Sequence, residues 1–402
     1  MGTAVPSRLS INKRFLFRPM TIKDILQTIK KWLFLEDTQV VEVLLATIIA
    51  NRLPTDPVWL FIIAPPSSAK TELIRALNKI PQIYSISNLT PQTFVSGRIS
   101  KDTCSLLPQL NNKILTLKDF TTVLTMHREN RTELLAQLRE IYDGYYKKVF
   151  GTGLVVEWQG KMGFIAGVTP IIDTYYSIYQ VLGERFIQYR MAESEAVIMA
   201  KRAMRNVSQE KQMRSEISAA FAQFISAIDM PEFTQIKIPE EINDKLAHLA
   251  AFCVRARSGV IRGRTQSGKI SYIPEPEAPA RLAKQLLTLA CGLAILHNSK
   301  ELTEQDYTLT YRIGMDTLPK MRLEILRLVK NQPEPLTTTE LAEKTDYPAN
   351  TLRRHLEDLQ ALKVIKRLSH HSGVVRRGRP ADRWQLSDLA RDLLDKAKPA
   401  SG

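Results

Sequence analysis

A three-layer α/β domain, followed by helical segments and a C-terminal winged helix-turn-helix unit, is the fold class predicted by this 402-residue sequence. Three observations carry it. Short apolar runs bounded by turn residues alternate with helical stretches as far as Arg190, the texture of strands and helices in an α/β layer. From Glu193 to Leu318 the apolar period turns helical, broken by a polar stretch from Gly259 to Pro279 that reads as a short hairpin or loop. From Lys320 onward, three helices (Met321–Lys330, Thr338–Thr345, Asn350–Leu362) precede two strands (Val364–Leu368, Arg383–Leu386) that flank a Gly-containing basic loop.

Composition bounds the answer. At roughly 150 residues per domain the chain has room for two to three domains, each able to bury a core. With 44% hydrophobic and 24% charged residues, wholesale disorder and low-complexity classes are excluded. Lys and Arg outnumber Asp and Glu by 56 to 41, a net +15, which points to a polyanionic partner, nucleic acid first. Cys104, Cys253 and Cys291 are far apart with no CxxC, so the sequence supports neither a disulfide framework nor a zinc knuckle, and fits a reducing compartment. The six histidines form no metal pattern. The longest apolar runs, Val43–Ala50 and Val58–Ala64, fall short of the roughly 18 to 20 residues that span a bilayer, and the opening residues lack a signal-peptide core; the expected location is cytoplasmic.

Residues 1–20 carry Arg8, Lys13, Arg14 and Arg18 without a helical period and read as a basic arm. A buried helix is expected over Val40–Arg52, with Thr38 as its cap. Val58–Ile63, between Pro57 and Pro65, has the continuous apolar character of a strand buried on both faces. Further strands are expected at Gln82–Ser87, Lys113–Leu117 and Lys161–Val168, with helices over Lys70–Lys79 and Thr132–Tyr146, and later over Glu193–Ile228, Glu240–Arg257, Pro279–His297 and Thr303–Leu318.

The chemistry concentrates between the first strand and the helix after it, at Ala64-Pro65-Pro66-Ser67-Ser68-Ala69-Lys70-Thr71. A loop in this position wraps a phosphate with successive backbone N–H groups, Lys70 supplies positive charge, and the Thr71 hydroxyl can hold Mg²⁺. Against GxxxxGK[ST], Ala64 and Ala69 replace both glycines, and Ala69 sets a methyl where backbone approaches phosphate. The bland alternative is a strand-to-helix turn with a chance Lys-Thr.

Over about residues 40–318 the order and spacing of such segments resemble the AAA+ ATPases, and within them helicases of the minichromosome-maintenance type, with a winged helix following in the same order. The resemblance implies ATP and Mg²⁺ as cofactors and a homo-oligomeric ring, hexameric by preference, acting on DNA; the short apolar runs noted above argue against a membrane partner. It implies a core over 21–230, a helical lid over 231–318 and the winged unit over 319–402. It places Asp119, in Ile114-Leu115-Thr116-Leu117-Lys118-Asp119-Phe120, on the metal or the attacking water; one alignment then puts Lys118 where the metal-holding carboxylate belongs, the other lacks the catalytic Glu. Thr169, in Gly163-Phe164-Ile165-Ala166-Gly167-Val168-Thr169, takes the sensor position or caps the turn before Pro170. Arg185, in Leu182-Gly183-Glu184-Arg185-Phe186, resembles an arginine finger reaching a neighbouring subunit. Arg281 opens a helix and takes the second-sensor role, or simply pairs with Glu277. Tyr145-Tyr146-Lys147-Lys148-Val149-Phe150-Gly151 is either a pore-lining hairpin presenting Lys147 and Lys148 to DNA or the end of a buried helix.

In the C-terminal unit, Leu352, Leu356 and Leu359 share one helix face and leave Asn350, Arg353 and Arg354 outward, as a recognition helix needs. Between Lys363 and Arg383 seven basic residues face one acid, Asp382, an excess of six (7 − 1); the expected DNA contacts there are Arg376, Arg377 and Arg379, in a Gly378-Arg379-Pro380 wing. Three functions stay open: a DNA motor hydrolysing ATP, a nucleotide-regulated or pseudo-ATPase DNA-binding regulator or loader, and a winged-helix transcription factor that uses the AAA+ region only to assemble.

Overall fold

The computed structural model describes residues 20–96, 105–176, 184–263, 268–368 and 382–400. The basic arm before Met20 and the wing residues Arg376, Arg377 and Arg379 lie outside the described residues. Helix α1 (Ile22–Trp32) starts at a reciprocal capping box between Thr21 and Asp24 and buries Ile25, Ile29 and Trp32 at i, i+4, i+7 spacing. Helix α2 (Gln39–Ala50) is apolar almost all round and buried accordingly; the expected cap Thr38 makes no side-chain capping bond because its own backbone is already helical.

Strand β1 (Trp59–Ile63) leads to α3 (Lys70–Ala76), then β2 (Ile83–Ile86), α4 (Leu107–Leu110), β3 (Lys113–Leu117), α5 (Thr121–Leu124) and α6 (Arg128–Tyr142). The last ends four residues before the expected Tyr146, because Gly144, at φ +84°, turns the chain into a hairpin, β4 (Tyr145–Val149) with β5 (Val155–Gln159). Then come β6 (Met162–Val168) and β7 (Phe186–Arg190). Five strands form one parallel sheet in the order β2-β3-β6-β1-β7. Period-two alternation on β1 divides the interior: Leu60 and Ile62 join the core with α1, α2 and α3, whereas Trp59, Phe61 and Ile63 join a second core with α6 and β4–β5. Burial on both faces is why the strand reads as an unbroken apolar run.

The expected long helix after residue 193 is two, α7 (Ala196–Asn206) and α8 (Glu210–Ala227), separated by a 3₁₀ turn. Next are α9 (Glu240–Arg257), a hairpin of β8 (Ile261–Arg262) and β9 (Ile270–Tyr272), α10 (Ala280–Leu296) and α11 (Glu304–Asp316). A Cβ at Gly292 would stand 2.5 Å from the Ala46 carbonyl, so this glycine is what lets α10 lie directly on α2. No described helix is long and apolar enough to cross a membrane.

Across the α2–α10–α11 junction, His297 Nδ1 sits 2.7 Å from the fully buried Asp306 carboxylate, and Nε2 is 3.5 Å from Glu42. Asp306 first and Glu42 second raise its pKa to about 9. A raised histidine adds stability that is complete below the unfolded value near 6.5 and is lost as pH rises through 9. Denaturant titrations from pH 6 to 9.5 are expected to show a decline that His297→Gln flattens; equal slopes for both proteins contradict the assignment.

The C-terminal unit comprises α12 (Lys320–Asn331), β10 (Leu336–Thr337), α13 (Thr338–Thr345), α14 (Ala349–Ala361), β11 (Ile365–Leu368), β12 (Arg383–Leu386) and a further helix, α15 (Asp388–Lys396). Its strands pair in the order β10-β12-β11. Thr337 and Glu340 form a capping box on α13, Asp346 ends that helix at φ +57°, and Pro348 opens α14: a helix-turn-helix corner. Its leucines continue the main core rather than forming a separate one.

Candidate functional site

The chain leaves β1 for the far edge of the sheet, returns through β3 and β6, and then crosses to β7 on the other side of β1. The carboxyl end of β1 is therefore a topological switch point, where an open parallel sheet leaves a crevice. The loop Ala64–Ala69 occupies it. Lys70 Nζ donates to the carbonyls of Ala64 (3.0 Å) and Val168 (2.9 Å), stitching the ends of β1 and β6 together. Gly167 makes room for this: a Cβ there would lie 2.5 Å from the Lys118 carbonyl and 3.1 Å from Lys70 Cδ. Lys70 is 5% exposed, and burial lowers its pKa while nearby Asp119 pulls it back. Two of its three donors are taken.

Ser67 turns the loop at φ +61°, a conformation non-glycine residues adopt at a cost of roughly 1 kcal/mol. Ser68 Oγ is shielded from solvent with no hydrogen-bond partner among the described residues, an uncommon state for a buried hydroxyl. Ala69 lies at φ −60°, unstrained, and its methyl packs against the main core. Asp119 is exposed; its Oδ1 accepts from Thr121 N (2.8 Å), and Phe120 N donates to the Gly167 carbonyl. Thr169 is joined to Thr121 through both its hydroxyl (3.1 Å) and its backbone N–H (3.2 Å), and it opens a 3₁₀ turn beginning at Pro170. The loop, Lys70, Thr71, Asp119 and Thr169 thus share the carboxyl edge.

A cavity of about 180 Å³ adjoins the loop, lined by Trp32, Phe34, Ser68, Ala69, Arg202 and Asn206 among others. Sequence reading misses Trp32, Phe34, Arg202 and Asn206, which come from two distant segments with no local motif.

Arg185 and Arg281 lie elsewhere. Arg185 precedes β7, and Phe186 pairs with Trp59 at the amino end of β1, the strand length of about 15 Å away from the loop. Arg185 is 8% exposed; its guanidinium is bonded to Asp143 (3.1 Å) and set over the Tyr142 ring, and burial lowers its pKa with Arg281 adding to the effect. Arg281 makes the 2.6 Å pair with Glu277; Glu277 also reaches Arg257, which holds the buried Glu184 at 2.6 Å. Burial raises Glu184 to about 7 against the opposing pull of Arg257.

Arg190 ties the carboxyl edge to the C-terminal unit. It pairs with Ile63 in the sheet, grips Asp173 in bidentate fashion (2.9 and 2.8 Å), and donates to the Leu318 carbonyl (2.9 Å), while Asp173 accepts from Lys320 N at the start of α12 (3.2 Å).

On α14, Leu352, Leu356 and Leu359 are buried, and Asn350, Arg353 and Arg354 are exposed. At the wing's described ends, Arg367 pairs with Asp382 (2.6 Å) and Lys366 with Asp388 (2.9 Å). Residues 145–159 form a hairpin, not a helix end; Lys147 pairs with Glu157 (3.0 Å) and Lys148 with Glu133 (3.1 Å).

Residues 320–367 match the model of a helix-turn-helix domain family, spanning α12 to β11. No curated protein matches the chain. Among solved structures, a protein from Cytophaga hutchinsonii provisionally described as an ATPase is similar at 15% identity, with a TM-score of 0.43, over 74% of this chain and 85% of that one.

Proposed function

We propose that this chain is a nucleotide-binding protein of the AAA+ type, similar to minichromosome-maintenance-like helicases, that binds ATP with Mg²⁺ at the carboxyl edge and DNA through its C-terminal helix-turn-helix. The observation that carries the nucleotide reading is Lys70, drawn into the switch-point crevice two residues after Ser68, whose hydroxyl has no hydrogen-bond partner among the described residues. A hydroxyl without a partner and an ammonium with a donor to spare fit a phosphate ligand. The Ser67 and Ser68 hydroxyls and the backbone N–H groups of Ser67 and Ala69 would cradle phosphates, Pro65 and Pro66 having no N–H and that of Ala64 being held by the Val168 carbonyl; Lys70 would neutralise them, and Thr71 with Asp119 would hold the metal. Bound there, ATP with Mg²⁺ supplies a phosphoanhydride for phosphoryl transfer to water. Thr121 holds Thr169 at the same edge, and the Gly167 carbonyl holds the Phe120 backbone beside Asp119, so both polar groups are pre-placed.

Arg185 and Arg281, at the opposite end of the sheet from their own loop, meet a nucleotide only when a second copy brings its carboxyl edge to them. This supports an oligomer closed head to tail, a ring, and for Arg185 it entails release from Asp143. The core over 21–230, lid over 231–318 and winged unit over 319–402 are the proposed division of labour, with Lys147 and Lys148 toward a DNA-containing pore and the cytoplasm as the setting. Arg190 supplies a direct link between loop edge and DNA-binding unit. A second reading, a regulator that binds nucleotide without turning it over, draws on the single carboxylate at Asp119 next to Lys118. Titrating the full chain with a fluorescent ATP analogue and Mg²⁺ tests the shared premise: saturable binding competed by ATP is expected, and no binding removes both readings.

A further inference from the structure

Among the described residues, the side chain of Arg262 fastens the polar interruption between α9 and α10 to α14. Arg262, at the end of β8, donates Nε to Asp358 Oδ1 (3.0 Å). Its Nη2 donates to the same oxygen (2.7 Å), to Glu357 Oε2 (3.2 Å) and to the Arg354 carbonyl (2.8 Å). Its Nη1 donates to Glu357 Oε2 (3.2 Å) and to the Gly268 carbonyl (2.7 Å) on the returning side of the hairpin. From behind, buried Arg322 donates to the Ala256 and Ser258 carbonyls at the end of α9 (2.9 and 2.7 Å) and stands 3.5 Å from Asp358 Oδ2. A planar fork bonded on all three nitrogens fixes position as well as charge.

Two consequences follow for the surface around α14. Glu357 and Asp358 stand one turn beyond Arg353 and Arg354, where uncompensated carboxylates repel a phosphate backbone; Arg262 and Arg322 offset them. The clamp also sets the hairpin beside the recognition helix, where a Cβ at Gly268 would lie 3.8 Å from Arg354 Nη2. The next residue, Lys269, is exposed, with its carbonyl occupied by Gly263 N (3.0 Å). Arg354 and Lys269 therefore border one surface from two elements 85 residues apart in sequence (354 − 269).

We propose that the β8–β9 hairpin is a second DNA-contacting element, placing Lys269 on the phosphate backbone beside the groove that receives α14, with Arg262 as the positioning residue that clamps the hairpin and screens Glu357 and Asp358. This rests on the reading of the helix-turn-helix as a duplex binder. The test is a fluorescence-anisotropy titration of the full chain on labelled duplexes of several sequences and salt concentrations. Lys269→Ala, an exposed change that leaves the core intact, is expected to weaken binding equally on all duplexes and to lower the salt slope by about one. Arg262→Ala is expected to weaken binding roughly tenfold through loss of both clamp and screen, and adding Glu357→Gln and Asp358→Asn to recover part of that loss. The proposal fails if Arg353→Ala weakens binding while Lys269→Ala changes neither affinity nor slope, or if Arg262→Ala tightens binding, which makes the hairpin an obstruction. If the wild type binds no duplex, or Arg353→Ala and Arg354→Ala both bind as wild type, the helix-turn-helix reading fails and the hairpin proposal with it.

Discussion

Lys70→Met is expected to weaken nucleotide binding roughly ten- to a hundredfold while leaving the fold in place. Methionine keeps most of the apolar stem that packs beneath Gly167 but removes the charge, and a hydrogen bond to a charged group contributes about 1.5–3 kcal/mol, or roughly ten- to a hundredfold in affinity. The structural cost is smaller, because the Val168 carbonyl retains the Ala64 N–H at 3.2 Å when Nζ is lost; only the Ala64 carbonyl loses this donor, at about 1 kcal/mol. Binding by fluorescent-analogue titration and stability by denaturant titration separate the two effects. Wild-type affinity in Lys70→Met contradicts the phosphate assignment, and unfolding shows that Lys70 is a stitch between β1 and β6 before it is anything else.

The largest loss of stability is expected from Arg257→Met. Arg257 and Glu184 are both nearly inaccessible and 2.6 Å apart, and removing one partner of a buried pair leaves the other uncompensated, at about 3–5 kcal/mol. The sign of the pH dependence follows. With its pKa at about 7 in the fold and near 4.3 unfolded, Glu184 contributes most at low pH, and that contribution is lost as pH rises through 7. Without Arg257 the decline is expected to extend to higher pH, and Glu184→Gln added to Arg257→Met is expected to recover part of the loss. A change below about 1 kcal/mol at pH 8 contradicts a buried pair.

How much of this was legible in the sequence depends on the distance over which each signal acts. The apolar run Val58–Ile63 and the Lys70-Thr71 pair after it predict a buried strand and a phosphate-loop turn, because both are written in consecutive residues. The helix-turn-helix corner is equally local, with three helices in order and Leu352, Leu356 and Leu359 on the inner face of the last. The break in the expected 193–228 helix is not, since residues 207–209 carry neither glycine nor proline. The cavity beside Ser68 draws Trp32 and Asn206 from segments that meet only in the fold. The engagement of Arg262 with Glu357 and Asp358 is invisible for the same reason: nothing in a polar stretch announces which helix it will pack on. Arg281 shows the converse, where two local readings were open and the side chain is found on Glu277.

In the proposed function, one chain couples nucleotide to DNA through Lys70 at one end and α14 at the other, with Arg190 between. ATP turnover by the wild-type chain, measured with and without duplex DNA in Mg²⁺ and compared with Lys70→Met, tests it most directly. Turnover is expected to rise when duplex is added and to disappear in the variant. Turnover that ignores DNA, or that survives in Lys70→Met, would contradict it.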